Sequence, residues 1–299
     1  MARTGLLVCF VFAVSAVPAF SRAAIPQFTP HDSLVLEIDE NTSVDWTGGF
    51  VYASARVRLP RIVFDSSHPD FATPGTETSL SGARARARSE ALELASIRLT
   101  RAITGLRLDG RFTVLERMQQ DRSLRERLGN LSRLFRVKSR HTGEGYVSIE
   151  LALPFREEEG LYSVLAGSHY NSQPVPEVGP LDVVDELSGL VLDVREQPDF
   201  VPSLEPRIYT DQGRLIYGPE VITRACTIRR GPAIYYTDEE KALKDPRVGM
   251  QPLYAYAAGV LGNGRSDLVL DASDAERLLA SPVGRQSLHY CAVVFVVRK

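Results

Sequence analysis

Three cysteines, one tryptophan and five histidines in 299 residues leave little material for metal or redox chemistry. None of His31, His68, His141, His169 and His289 stands at metal-ligand spacing to another histidine or to a cysteine. No Cys-x-x-Cys, His-Glu-x-x-His, Gly-x-Ser-x-Gly or phosphate-cradling glycine loop is present. These absences point away from a metalloenzyme, a serine hydrolase and a nucleotide-binding enzyme, and they call for no cofactor. A formal net charge of -2 gives no global bias toward nucleic acid. Beyond the first twenty or so positions, no apolar run approaches the roughly 20 residues that a spanning helix needs.

The N-terminus is the exception. Arg3 precedes an apolar run from Leu6 to Phe20, broken by Pro18 and followed by Ser21-Arg22-Ala23-Ala24. A basic start, a short apolar stretch and a small-x-small site read as a secretory signal peptide, residues 1–23, with Ala19 and Ala16 as other cleavage points and an uncleaved anchor as the other reading. The expected address is the periplasm or cell envelope. Cys9 leaves with the leader, so Cys226 and Cys291 remain. In an oxidising compartment such a pair can bridge, and two buried thiols are the other reading.

What is present elsewhere is average for folded protein: 44% hydrophobic, 24% charged, with 22 Gly and 18 Pro. Val51 to Leu59 alternates with period two, as a half-buried strand does. Ser79 caps a helix expected from Gly82 to Thr104, with Ala91, Leu92, Ala95, Leu99, Ala102 and Ile103 among its apolar positions and Gly105 as its stop. Leu106 to Met118 reads as a strand around a turn at Asp109-Gly110, and Ser123 to Leu134 as a second helix. Phe135–Arg140 and Tyr146–Pro154 flank a polar loop with glycines, a hairpin. Gly167 to Glu186 gathers Gly, Pro, Ser and Asn, as a linker does. Beyond it, Gly189–Val194 is a strand, and Asp211-Gln212-Gly213 and Gly262-Asn263-Gly264 are hairpin turns. Asp238–Lys244 and Ala272–Ala280 read as helices, and Cys291–Val297 as a closing strand. The fold class expected is α+β, in two small domains, 24–166 and 187–299. Each is read as a mostly antiparallel sheet with helices packed on one face.

Charge is uneven. Gly82 to Arg140 holds 15 Lys and Arg against 6 acids, whereas Glu177 to Glu220 holds 10 acids against 3 Arg. Arg84, Arg88, Arg98 and Arg101 on the long helix are the candidate partner-binding residues, because a guanidinium fork pairs with carboxylates in two-point geometry. A solvated helix face balanced by Glu90 and Glu93 is the plainer reading. Glu157-Glu158-Glu159 and Glu239-Glu240 read as solvated runs, Ser168-His169 as linker, and Trp46 as a core anchor.

One block is more distinctive. Residues 188–218 run Ser-Gly-Leu-Val-Leu-Asp-Val-Arg, then Pro202-Ser-Leu-Glu-Pro-Arg-Ile208, then Asp211-Gln-Gly-Arg-Leu-Ile-Tyr-Gly218. Arg247-Val-Gly-Met-Gln-Pro-Leu253 follows. This resembles a block of exported bacterial envelope proteins, the relatives of flagellar assembly proteins T and P and the lipoproteins grouped with them. The chain departs from that pattern at Val194 and Glu196 and lacks the lipid-acceptor cysteine. The resemblance implies a non-enzymatic structural role, with small α+β domains assembling around the flagellar motor or rod. The expectation is therefore a structural or assembly protein of the envelope. Its partners would be envelope or flagellar proteins, or further copies of itself, without nucleic acid. The alternatives are a periplasmic binding module for an anionic polymer or small ligand, and a secreted hydrolase.

Overall fold

The computed structural model describes residues 33–179 and 185–299. The expected signal peptide and cleavage site, residues 1–23, lie outside the described residues.

The first half builds one antiparallel sheet. Its strands are β1 (Val35–Asp39), β2 (Thr42–Asp45) and β3 (Phe50–Arg58), with β6 (Arg136–Gly143) and β7 (Tyr146–Pro154) arriving later. The order across the sheet is β1-β2-β3-β7-β6. A separate two-stranded ribbon pairs β4 (Arg61–Ile62) with β5 (Thr76–Glu77). The long helix α1 (Leu80–Gly105) lies on one face of the main sheet, its first turn closed by Ser79 Oγ accepting from Gly82 N at 3.1 Å. Its buried stripe is Ala83, Ala87, Ala91, Ala95, Leu99, Ala102 and Ile103, at steps of three and four. Alanine at four consecutive stripe positions lets the helix axis sit close to Val51, Ala53 and Ala55 of β3 and to Ile149 and Leu151 of β7. Gly105 is the last residue of α1, but it does not take the left-handed conformation of a glycine stop.

Leu106 to Met118 is not a strand. Only Arg107 and Thr113 form an isolated bridge, and Val114–Gln120 is helix α2. The local signal is Thr113-x-x-Glu116, a capping box: each side chain bonds the other residue's backbone N–H. The expected second helix is α3 (Arg122–Leu128) followed by a 3-10 turn, Leu131–Leu134. A short α4 (Leu161–Leu165) ends this half.

The second half contributes β8 (Gly189–Asp193), β9 (Ile208–Thr210), β10 (Leu215–Tyr217), α5 (Arg224–Arg230), β11 (Ile234–Tyr236) and α6 (Glu239–Leu243). These are followed by β12 (Pro252–Leu261), β13 (Asp267–Leu270), α7 (Ala272–Ala280), α8 (Pro282–His289) and β14 (Val293–Val296). The sheet order is β10-β9-β13-β12-β8-β14-β11. The class is α+β, with mixed sheet in this half. The two expected hairpins are there, β9–β10 and β12–β13. The other four pairings, β9–β13, β12–β8, β8–β14 and β14–β11, are parallel, so this sheet is not mostly antiparallel. Leu190-Val191-Leu192 and Val293-Val294-Phe295-Val296 carry that information. Unbroken apolar runs mark strands buried on both faces, where parallel pairing occurs, and both strands are buried throughout. Gly189 has a packing reason: a Cβ there would stand 2.7 Å from the backbone of Val248.

The two sheets share one buried cluster. Trp46 packs edge-on against Phe155 of the first half and Tyr235 of the second. Thr47 Oγ1 donates to Tyr235 O, and Tyr162 OH donates to Leu204 O. The described part of the expected linker is not a free tether. Tyr170 is buried, and the N–H groups of Asn171 and Gln173 donate to Pro219 O and Glu220 O.

Candidate functional site at the seam between the sheets

The loop that leaves α1 meets the Pro202–Ile208 segment of the second half. Leu204 N donates to Arg107 O, Glu205 N to Leu108 O, and Gly264 N to Gly110 O. Gly110 allows this approach, since a Cβ on it would fall 2.3 Å from an Asp267 carboxylate oxygen. Three acids are almost out of water here: Asp109 at 6%, Glu205 at 3% and Asp267 at 7% exposure.

Each acid has a defined set of partners. Asp109 Oδ1 accepts from Arg111 N and Phe112 N, both at 2.8 Å, which closes the turn. Its Oδ2 accepts from Arg207 Nη1 at 3.1 Å. Arg207 also holds Glu220 through Nε and through Nη2 at 2.8 Å. Burial works against the Arg207 charge, but Glu220 and the nearby carboxylates outweigh it and hold the group above its ordinary value. Glu205 accepts from Tyr170 OH at 2.6 Å and faces His169 Nε2 at 3.6 Å. Asp267 accepts from Gly110 N at 3.2 Å. Burial pushes the Asp267 carboxyl up to about 6, Asp109 adds to the rise, and Arg207 opposes it.

A cavity of about 70 Å3 opens among Asp109, Arg117, Asp121, His169, Glu205 and Arg207. Small-molecule sites run to roughly 300 Å3 and more, so this space is water-sized. Its carboxylates are already held by Arg207, Tyr170 and backbone N–H groups. The arrangement is a charged joint that locks the two halves.

A second polar group caps the C-terminal end of β8. Asp193 is buried and receives Arg195 through Nε at 3.0 Å and Tyr254 OH at 2.6 Å. Arg195 continues to Glu239 at 2.8 Å. Burial opposes the Asp193 charge, but the hydrogen bonds from Arg195 and Tyr254 hold its carboxyl below the ordinary value. A third is Arg247, buried, which donates to the carbonyls of Arg230, Gly231 and Val293 and so caps α5. Burial lowers its guanidinium to about 10. Glu205, Arg207, Asp193, Arg195 and Arg247 all fall inside the distinctive 188–253 block. The sequence reading of that block, a strand, a turn and a resemblance, singles out none of these side chains, because ion-pair partners such as Asp109 and Glu220 become visible only in space.

The four arginines expected to dock a partner do not behave alike. Arg84, Arg88 and Arg101 are exposed and form no ion pair among the described residues. Arg98 is half-buried and donates Nη1 to Ser54 O at 2.7 Å, so it is held by β3 rather than presented outward. At about 1.5 Å per residue, the three free groups spread over about 25 Å of helix. The acidic runs are solvated, as expected: Glu157 and Glu159 face Arg136, and Glu240 pairs with Lys244. Cys226 and Cys291 are bonded, with Cα atoms 6.2 Å apart. Among the described residues, no group of three or more His, Cys, Asp or Glu side chains is placed to hold a metal. No helix among them is long and apolar enough to cross a membrane.

Residues 189–299 match a family model described as Treponema pallidum Tp0624, second domain. The match begins at β8 and takes in the whole C-terminal sheet, a little over a third of the chain. No curated protein matches the chain.

Proposed function

We propose that the protein is an exported, non-enzymatic assembly component of the bacterial envelope that docks protein partners through the outer face of α1. The observation that carries this is the unpaired set Arg84, Arg88 and Arg101 on a rigid 26-residue helix. Arg86, Arg122, Arg136, Arg195 and Arg207, by contrast, are tied to carboxylates within the fold. Unpaired guanidinium groups on a fixed helix favour an acidic protein surface. The signal-like residues 1–23 and the Cys226–Cys291 bridge support an oxidising compartment. The flagellar apparatus is the assembly suggested by the resemblance of residues 188–253.

The test compares the abundance of the protein in purified flagellar basal bodies with that in whole envelope, by quantitative mass spectrometry. The comparison is made for the wild type and for Arg84→Glu/Arg88→Glu/Arg101→Glu. Enrichment of the wild type, lost in the triple variant at normal cellular level, is the expected result. Equal abundance in both fractions would remove the flagellar assignment. Enrichment that survives the triple reversal would remove the arginine face.

A further inference from the structure

Among the described residues, the N-terminal sheet has two open edges. β1 and β6 are its outer strands, and every residue of β1 and all but the last of β6 are exposed. An open strand edge presents unpaired N–H and C=O groups along its length. The two edges differ in charge. β1 and the turn after it carry Glu37, Asp39 and Glu40 without a base. β6 carries Arg136, Lys138, Arg140 and His141 without an acid. Direction matters as well. All four pairings in the sheet are antiparallel, so β1 and β6 run the same way. A second copy displaced along the sheet would bring its β1 beside β6 in parallel, with both α1 helices on one face.

The side chains define a register. Setting Leu36 of one copy against Val137 of the next places Glu37 beside Lys138, Asp39 beside Arg140 and Glu40 beside His141. The faces agree. Leu36 and Asp39 pair with the buried Val44 and Thr42, while Val137 is opposite Leu151 and Arg140 opposite Ile149, on the side that α1 covers. Glu37 pairs with Ser43, which pairs with Tyr52, and Lys138 Nζ lies 4.0 Å over the Tyr52 ring, so both belong to the open face. The irregularities also meet. The β1 ladder shifts between Glu37 and Asp39, and the β6 ladder between Val137 and Ser139. In this register the two shifts overlap, offset by one residue, with Glu37 to Asp39 opposite Lys138 to Arg140.

We propose that the chain assembles head to tail with copies of itself, β1 of one copy adding in parallel to β6 of the next. The partner surface is thus a second copy, recognised by backbone hydrogen bonds and by an acid-on-base match. Such a contact is heterologous and yields a closed ring or an open filament. One strand edge is a small interface, so assembly depends on concentration. The exposed pairs that Arg136 and Lys138 make with Glu157 and Glu150 are weak enough to exchange. Arg140 has no ion pair among the described residues.

The inference does not use the arginine face of α1, and its test keeps the two apart. Sedimentation velocity over a concentration series is run on the full chain and on two charge-reversed variants, Lys138→Glu/Arg140→Glu and Glu37→Lys/Asp39→Lys. The wild type is expected to self-associate, and more weakly as salt is added. Each variant alone is expected to associate at least about tenfold more weakly, since like charges then face each other across the edge. Mixed in equal amounts, the two are expected to recover association, because each β6 again meets a β1 of opposite sign. The triple arginine variant should associate as the wild type does. A further variant, Ile38→Cys/Ser139→Cys, leaves charge alone and should give a ladder of oxidised multimers. A wild type that stays monomeric at every concentration would overturn the proposal, as would variants that assemble like the wild type.

Discussion

Asp109 and Arg207 stand 98 positions apart in sequence and meet at 3.1 Å, joining the loop after α1 to the strand-entry segment of the second half. The same guanidinium holds Glu220 at 2.8 Å. Arg207 bridges these two carboxylates, and all three side chains are largely withdrawn from solvent. Removing it leaves both carboxylates uncompensated, a change that costs about 3–5 kcal/mol at buried sites. Arg207→Ala is expected to lose stability on that scale in urea unfolding. Arg207→Met combined with Asp109→Asn and Glu220→Gln should recover most of the loss, because the cost lies in stranded charge rather than in the missing attraction. A triple variant as unstable as the single one would refute that account.

Asp267 gives the seam a pH dependence. Its carboxyl is raised from the ordinary 3.8 to about 6 by burial, with Asp109 adding to the rise. The folded state therefore holds this proton more tightly than the unfolded chain does. The associated stability is full below pH 4 and is lost as pH rises through 6. A rise of that size corresponds to about 3 kcal/mol, an upper figure for a group not wholly buried. Asp267→Asn keeps an acceptor for Gly110 N and removes the titration. The variant is expected to match the wild type near pH 4 and to exceed it by about 2–3 kcal/mol at pH 8. Unfolding curves at both pH values decide this, and a difference that does not change with pH would contradict it.

The alanine stripe of α1 sets how closely the helix lies on the sheet. Ala91 and Ala95 are fully buried against β3 and β7. Each added methylene has nowhere to go, and overpacking of this kind costs about 1–3 kcal/mol. Ala91→Leu and Ala95→Leu should each unfold earlier by that amount, whereas Ser89→Leu on the exposed side should be within about 0.5 kcal/mol of the wild type. Thermal unfolding followed by circular dichroism separates the two cases.

Periodic features of this fold are legible in the sequence: the period-two run of β3, the stripe of α1, and the glycine turns of the three hairpins. Each reports a local rule, in which side chains a few positions apart must share a face. The second sheet is harder, because its turns are antiparallel while its centre is parallel. The unbroken apolar runs of β8 and β14 are the better guide to the centre. Helix α2 escapes a reading by pattern although Thr113 and Glu116 form its capping box, since the apolar residues around them also fit a strand. The seam is not legible at all. Asp109, Glu205, Arg207 and Asp267 are ordinary charged residues in the chain, and only the fold brings them together out of water. The arginines of α1 are legible as a charged helix, but not the difference between Arg98, which bonds to Ser54, and its exposed neighbours.

The Cys226–Cys291 bridge joins the first turn of α5 to a residue two positions before β14, across a separation of 65 residues. Closing a loop of that length removes freedom from the unfolded chain worth about 4 kcal/mol in the chain-entropy model. Both sulfurs are buried, so reduction needs local opening first. Cys226→Ser/Cys291→Ser is expected to lose about 3–4 kcal/mol in urea unfolding. Dithiothreitol should lower the wild type to nearly the same level and leave the variant unchanged. The bridge also ties folding to compartment. Protein made without residues 1–23 in a reducing cytoplasm should resemble the double variant in stability, and oxidation after purification should restore it. If the reduced and oxidised forms unfold at the same urea concentration, the bridge does not stabilise the second half.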